Sequence, residues 1–155
     1  MATNDLGSFG RKMRVRGHAV AENADKLVRR VALAVDSAVV YGTPVDTGRA
    51  RSNWQAQLDA PADGTVGTLG GVRKGFEGTG GAVAQRSIAK AKEVIEGYDG
   101  DSNKTIHLTN NLPYIGRLND GWSAQAPAGF VEAAVQAGAA RVKGAKLTIT
   151  SGSGE

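Results

Sequence analysis

Cysteine is absent from this 155-residue chain. That excludes a disulfide framework, a thiolate nucleophile, a zinc ribbon and an iron-sulfur site, and leaves stability to packing or assembly. Histidine is nearly absent too, with His18 and His107 in separate segments, so the convergent spacing of a zinc site is missing. No stretch approaches 18 consecutive apolar residues, and Met1-Ala2-Thr3-Asn4-Asp5 lacks the basic and then apolar order of a signal peptide. The expectation is a soluble protein made and used inside the cell, without membrane partners. Aromatics are only 5%, so the core must rest mainly on Val, Leu, Ile and Ala. The length suits one domain, assigned to 1–150, and excludes a dinucleotide-binding dehydrogenase, a TIM barrel or a kinase.

Glycine is abundant instead, 22 of 155 residues, about twice the usual ~7%, so loops are expected to be long and glycine-rich. Hydrophobic residues at 41% against 22% charged make an ordinary globular balance, enough to form a core. A net charge of +4 and a pI near 9.6 permit contact with nucleic acid or another acidic surface but fall short of a histone-like excess.

Between Asn4 and Tyr41 there is no Pro, and Leu6, Met13, Val20, Leu27 and Ala34 recur every seven residues. Gly10, Gly17, Ala24, Val31 and Ala38 run between them. This periodicity predicts a long helix, with Asn4 as N-cap, Gly42 at the C-cap and Pro44 forbidding continuation. Unbroken, it would exceed about 50 Å, too long for a small domain to bury, so an extension over about 1–20 is expected to project unless Gly10 and Gly17 interrupt it. Asn53–Asp59 alternates with period two, which predicts a strand with Trp54, Ala56 and Leu58 facing a core.

Residues 60–82 carry so many glycines that a long Gly-rich loop is expected, ordered through assembly. Ala84, Ile88, Ala91 and Ile95 share one face of a second helix that closes at Gly97. Thr105–Thr109 alternates like a strand, and Pro113 opens a short helical turn before Asn119-Asp120-Gly121. Pro127 begins a third helix, with Phe130, Val131, Ala134, Val135 and Val142 on its apolar side. Lys146–Thr150 reads as a last strand before a flexible Ser/Gly tail, 151–155. The fold class is α+β: a long N-terminal helix, two shorter helices and a small, mostly antiparallel sheet.

Motifs for chemistry are missing. No Gly-x-Ser-x-Gly elbow exposes a nucleophile. Gly71-Val72-Arg73-Lys74-Gly75 lacks the Gly-Lys-Ser/Thr ending of a P-loop, and Gly78-Thr79-Gly80-Gly81-Ala82-Val83 places Val where a dinucleotide fingerprint needs a small residue. Asp46, Asp59, Glu93 and Asp120 are scattered, with no pair set apart for acid-base work. Catalytic, cofactor and metal residues are therefore assigned as none. Arg11, Lys12, Arg14 and Arg16 spread positive charge around the first helix, and Arg29-Arg30 extend it. These residues suit either a solvated helix face, partly balanced by Glu22 and Asp25, or contact with DNA phosphates.

Two segments are more specific than anything above. They are Thr43-Pro44-Val45-Asp46-Thr47-Gly48-Arg49-Ala50-Arg51-Ser52-Asn53-Trp54 and Asn110-Asn111-Leu112-Pro113-Tyr114-Ile115-Gly116-Arg117-Leu118-Asn119-Asp120-Gly121, the latter continuing from Ser123 through Ala126-Pro127-Ala128-Gly129-Phe130-Val131. In their order, after a long helix and around a variable loop, they resemble the neck or tail-completion proteins of tailed bacteriophages, also called minor tail or tail-component proteins. The resemblance covers most of Asn4 to Lys143. The recurrent family form has Leu after the first Gly-Arg pair and Glu before the later Gly, where this chain has Ala50 and Asp120.

The resemblance implies a small non-enzymatic virion subunit, made in the host bacterial cytoplasm and assembled into a homo-oligomeric ring, six-fold by family inference. Its place would be the head-tail junction or the head-proximal tail end. Implied partners are adjoining head-closure, connector or tail proteins, with genomic DNA in the lumen held without sequence preference. A tail terminator that stops tube growth and a free-standing basic DNA-binding protein are the alternatives, and a small enzyme with an unrecognised pocket is a third.

Within these segments Asp46 can cap the turn at Thr47 and reach Arg49, and Pro113 and Pro127 can preset two helical turns. Gly121 permits a positive φ, and Tyr114 and Phe130 can anchor their turns onto the sheet. Asp46, Arg49, Tyr114, Arg117, Asp120 and Trp122 form the expected subunit or ring interface, since exposed arginines and aromatics are preferred anchors.

Overall fold

The computed structural model describes residues 6–70 and 80–143. The fold is α+β, a long N-terminal helix with shorter helices and a two-stranded antiparallel sheet. Its elements are α1 (Leu6–Gly42), α2 (Arg49–Ser52), β1 (Gln55–Leu58), α3 (Gly80–Glu96), a 3-10 turn (Gly100–Ser102), β2 (Ile106–Thr109), α4 (Ile115–Asn119) and α5 (Phe130–Ala140). The Asn4 cap, the 146–150 strand, the 151–155 tail and the 71–79 part of the loop lie outside the described residues.

α1 runs unbroken through Gly10 and Gly17 for 37 residues, about 55 Å at ~1.5 Å per residue. Two glycines cost a helix only about 1 kcal/mol each, and the apolar seam on either side continues at the same phase. The C-terminal half of α1 is covered on two sides. α5 lies along Ala34, Val35, Ala38 and Gly42, closely enough that a Cβ at Gly138 would stand 2.6 Å from the Val35 Cα. α3 also packs on α1 and buries Val83, Ala84, Ala91 and Ile95. Val39, Val40, Trp54, Ala84 and Ala134 form the central cluster.

Thr43 ends α1 by folding back. Its hydroxyl donates to the Val39 carbonyl at 2.6 Å and accepts the Trp54 indole N–H at 2.8 Å, which satisfies the polar edge of the one large buried ring in the cluster.

Several local expectations shift by a few residues, each for a visible reason. The first strand is Gln55–Leu58 rather than 53–59, because Asn53 closes α2 and ties down the following loop. The second begins at Ile106. Gly80 and Gly81 are the first turn of α3, not loop: Gly80 is buried against Val45 and gives its carbonyl to Arg51 at 3.1 Å. Pro127 lies in the turn before α5, which starts at Phe130 after Gly129 at φ 74°. Val135 is exposed and Gly138 takes its place on the packed face of α5. Phe130 anchors against α1 at Gly42 rather than on the sheet.

Among the described residues two buried side chains lack a hydrogen-bond partner, the Thr109 hydroxyl and the Asp36 carboxyl. Asp36 is fully buried within α1, and among the described residues neither of its carboxylate oxygens has a hydrogen-bond partner. Burial pushes its pKa up from 3.8 to about 7.

Candidate interaction site

The two segments 43–54 and 110–131, some 60 residues apart in sequence, meet in space. Val45 and Gln125 join them: the Val45 N–H donates to Gln125 Oε1 and Gln125 Nε2 donates to the Val45 carbonyl, both at 2.9 Å. A side-chain amide thus pairs with a backbone amide as a neighbouring strand would. Between the segments lies an open cleft of about 240 Å³ lined by Asp46, Thr47, Arg49, Tyr114, Leu118 and Ser123, among others. Beside this stretch Arg117 stacks on Trp122, its Cζ 5.3 Å from the ring centroid, and Trp122 is 75% exposed. Such a stack holds a large aromatic in one orientation in water.

Of the six residues expected at an interface, Asp46, Arg49 and Tyr114 therefore line one cleft, and Arg117 and Trp122 form a pair on the same segment as Tyr114. Asp120 is exposed and closes α4 through its N–H to the Gly116 carbonyl. Asp46 does not cap its turn. The Thr47 hydroxyl accepts the Arg49 N–H at 3.4 Å instead, and among the described residues the ion pair is Lys92 with Glu96 rather than Asp46 with Arg49. Gly48 at φ 81° turns the chain so that the Asp46 carboxylate stays in solvent.

The positions that build the site were not singled out in the sequence. Arg51 donates to the carbonyls of Thr43, Tyr41 and Gly80 at 2.9, 3.1 and 3.1 Å. Its guanidinium thereby binds the end of α1, where the carbonyls carry the negative end of the helix dipole, to the start of α3. Burial lowers its pKa. Asn119 accepts the Gly129 N–H on its carbonyl and the Val131 N–H on its side chain, and it donates to the Glu132 carboxylate. That bond holds Glu132 below the usual carboxylate range.

Ser52, Asn53 and Asn111 fasten 62–69 through bonds to Leu69, Val66, Ala62 and Gly64. Asn110 donates to the Ala50 carbonyl at 2.9 Å. A cluster of Asn and Ser in a glycine-rich sequence was the available signal, since such side chains replace a ladder where backbone has none.

The second candidate surface is the N-terminal half of α1. Arg11, Lys12, Arg14 and Arg16 are all exposed. Leu6, Phe9, Met13 and Val20 are exposed beside them, from 85% at Leu6 to 46% at Val20. The same seam that α5 covers from Ala34 to Gly42 is bare toward the N-terminus, and Leu27 and Val31 line an open groove at the end of α5. His18 is exposed on this stretch, whereas His107 is half-buried on β2 opposite Gln57. Among the described residues no group of His, Asp and Glu converges as a metal site, and no helix is long and apolar enough to cross a membrane. No family model, no curated protein and no solved structure matches the chain.

Proposed function

We propose that this chain is a non-enzymatic structural subunit of a tailed bacteriophage, which assembles into a closed ring at the head-tail junction or the head-proximal tail end. The observation that carries this reading is the bare half of α1, a helix whose apolar seam extends several turns beyond the body that packs on it. A monomer that keeps Leu6, Phe9, Met13 and Val20 in water has surface left to bury, and a contiguous apolar stripe of this kind marks an interaction site. The cleft at Asp46, Arg49 and Tyr114, with the Arg117–Trp122 stack, supplies a second contact surface on another side of the body, as a ring of head-to-tail contacts requires. Arg11, Lys12, Arg14 and Arg16 suit a lumen that holds DNA through its backbone.

The test is the mass of the purified chain by light scattering and its outline by negative-stain electron microscopy. Rings of defined subunit number support the reading, and a monomer at tens of micromolar refutes it. Removal of the reading frame from a phage that carries it then assigns the place. Full heads beside unjoined tails point to completion or joining, tails of uncontrolled length to a terminator, and normal infectious particles overturn a structural role.

A further inference from the structure

One side of α1 has two different surroundings. At about 100° per residue, Leu6, Phe9, Met13 and Val20 fall on the same side of the helix as Leu27, Val31, Ala38 and Gly42. The C-terminal part of this seam already seats a helix: α5 lies on it, with Phe130 against Gly42 and Gly138 against the Val35 backbone. At the last turn of α5 the cover thins to an open groove lined by Leu27, Val31, Ala139, Val142 and Lys143, among others. Beyond the groove Val20, Met13, Phe9 and Leu6 are exposed, increasingly so toward the N-terminus. The bare stretch thus continues, in phase, a surface on which a helix packs closely.

Its width also fits a helix. From Phe9 through Val20 and Met13 to Leu6 the apolar arc spans only about 60°, a seam of the coiled-coil kind rather than the broad face that lies in a lipid interface.

Charge selects the kind of helix. From Leu6 to Ala21 the sequence has no Asp or Glu. At about 100° per residue, Arg14 stands on one flank of the seam and Lys12 and Arg16 on the other, all three exposed. A helix laid along the seam has positive charge on both sides of it. Acids at its flanking positions gain there and bases lose, as at the e and g positions of paired helices. Duplex DNA would meet the cations but leave Phe9 and Met13 in water, since phosphates offer no apolar surface.

Among the described residues this chain supplies no such helix. The exposed acids of α3, Glu93 and Glu96, are interleaved with Lys90 and Lys92, and Lys92 pairs with Glu96. α5 has one acid, Glu132, which Asn119 holds. Besides the buried Asp36, α1 itself sets Glu22 and Asp25 against seven Arg and Lys, and Asp25 accepts the Gly100 N–H at 3.2 Å. A second copy therefore brings like charge to the seam.

We infer that the bare half of α1 is the docking site for an acidic amphipathic helix of a different protein, which lies in line with α5 and buries Phe9 and Met13. The inference goes beyond the ring reading and does not rest on it.

The probe is a synthetic helix of three heptads with Leu at a and d and Glu at e and g, whose like charges keep it from pairing with itself. One companion has Lys for Glu, and another keeps Glu but has Ser for Leu. Binding to the intact chain is read by fluorescence anisotropy. The Glu helix should bind at least about 100-fold more tightly than either companion. Arg14→Glu with Arg16→Glu should turn the preference toward the Lys helix. Phe9→Ser with Met13→Ser, both exposed and so harmless to the body, should weaken the Glu helix at least about 10-fold, with circular dichroism confirming the fold.

Equal binding of the Glu and Lys helices, a Glu helix no better than its Ser form, or no binding at about 0.1 mM overturns the inference. So does binding of duplex DNA or of anionic phospholipid vesicles without binding of the Glu helix. Light scattering of the chain alone reads the ring separately. A monomer that binds the Glu helix refutes the ring and supports the inference, and a ring that ignores it keeps the ring and overturns the inference.

Discussion

Asp36 makes the sharpest prediction about this fold. Its carboxyl is fully buried and has no hydrogen-bond partner among the described residues, and burial pushes its pKa up from 3.8 to about 7. Arg29, two turns earlier on α1, gives both Nε and Nη2 to the Tyr98 carbonyl. The folded state therefore prefers the protonated acid, while the unfolded chain ionises near its ordinary value. Below pH 3.8 the two states carry the same proton and Asp36 costs nothing through ionisation. As pH rises the unfolded state gains by releasing it, so stability falls between about 4 and 7 and then levels off.

Roughly three decades of proton affinity at ~1.36 kcal/mol each make about 4 kcal/mol in total, of which about 1 kcal/mol is already lost at pH 4.5. Asp36→Asn keeps the shape and removes the ionisation. Urea unfolding of both proteins at pH 4.5 and pH 8 should show the variant's advantage growing by about 3 kcal/mol over that interval. Taking the difference between two pH values cancels the variant's own cost of burying an amide. An advantage that is the same at both pH values, or that shrinks, would refute the account of Asp36 as a buried, uncompensated acid.

Gly138→Ala should destabilise by at least 2 kcal/mol, at about the middle of the range for overpacking, because its Cβ meets the backbone of Val35, which cannot rotate away. Thermal unfolding by circular dichroism checks it. Arg51→Ala should cost about 3 kcal/mol through three lost charge-assisted bonds to carbonyls, and Arg51→Lys should recover less than half, since one ammonium cannot span all three. Denaturant unfolding of the two variants side by side measures this. If the basic stretch of α1 meets DNA, replacing Arg11, Lys12, Arg14 and Arg16 together with Ala should flatten the slope of log affinity against log salt by about 3 to 4 and leave the melting temperature unchanged. An unchanged slope in filter binding with duplex DNA removes those residues from the contact.

Much of the architecture was legible because it follows from period and stop signals. The seven-residue recurrence from Leu6 to Ala34, ended by Gly42 and Pro44, specified α1, and Ala84, Ile88, Ala91 and Ile95 specified the buried side of α3. Period-two alternation located both described strands. Boundaries moved where a side chain made a long-range bond that local pattern cannot express. Asn53 left the strand to hold Val66, and Gly80 joined a helix because Arg51 reaches its carbonyl. The candidate site was half legible. Asp46, Arg49, Tyr114, Arg117 and Trp122 were named from their segments, but the long-range bonds of Gln125, which joins the two segments, and of Arg51, which ties α1 to α3, carry no local signature.

What the sequence determined by itself was the class of molecule and its elements: an α+β chain with no cysteine, a helix longer than its body can cover, and short strands in a glycine-rich frame. These follow from composition and from interactions between residues within a turn or two of each other. Only the tertiary structure decided that Asp36 is sealed without a partner among the described residues, and that the 44–50 and 114–125 segments face one cleft. Both depend on which surfaces meet across long separations in sequence, and burial and a shared cleft exist only once those surfaces have met.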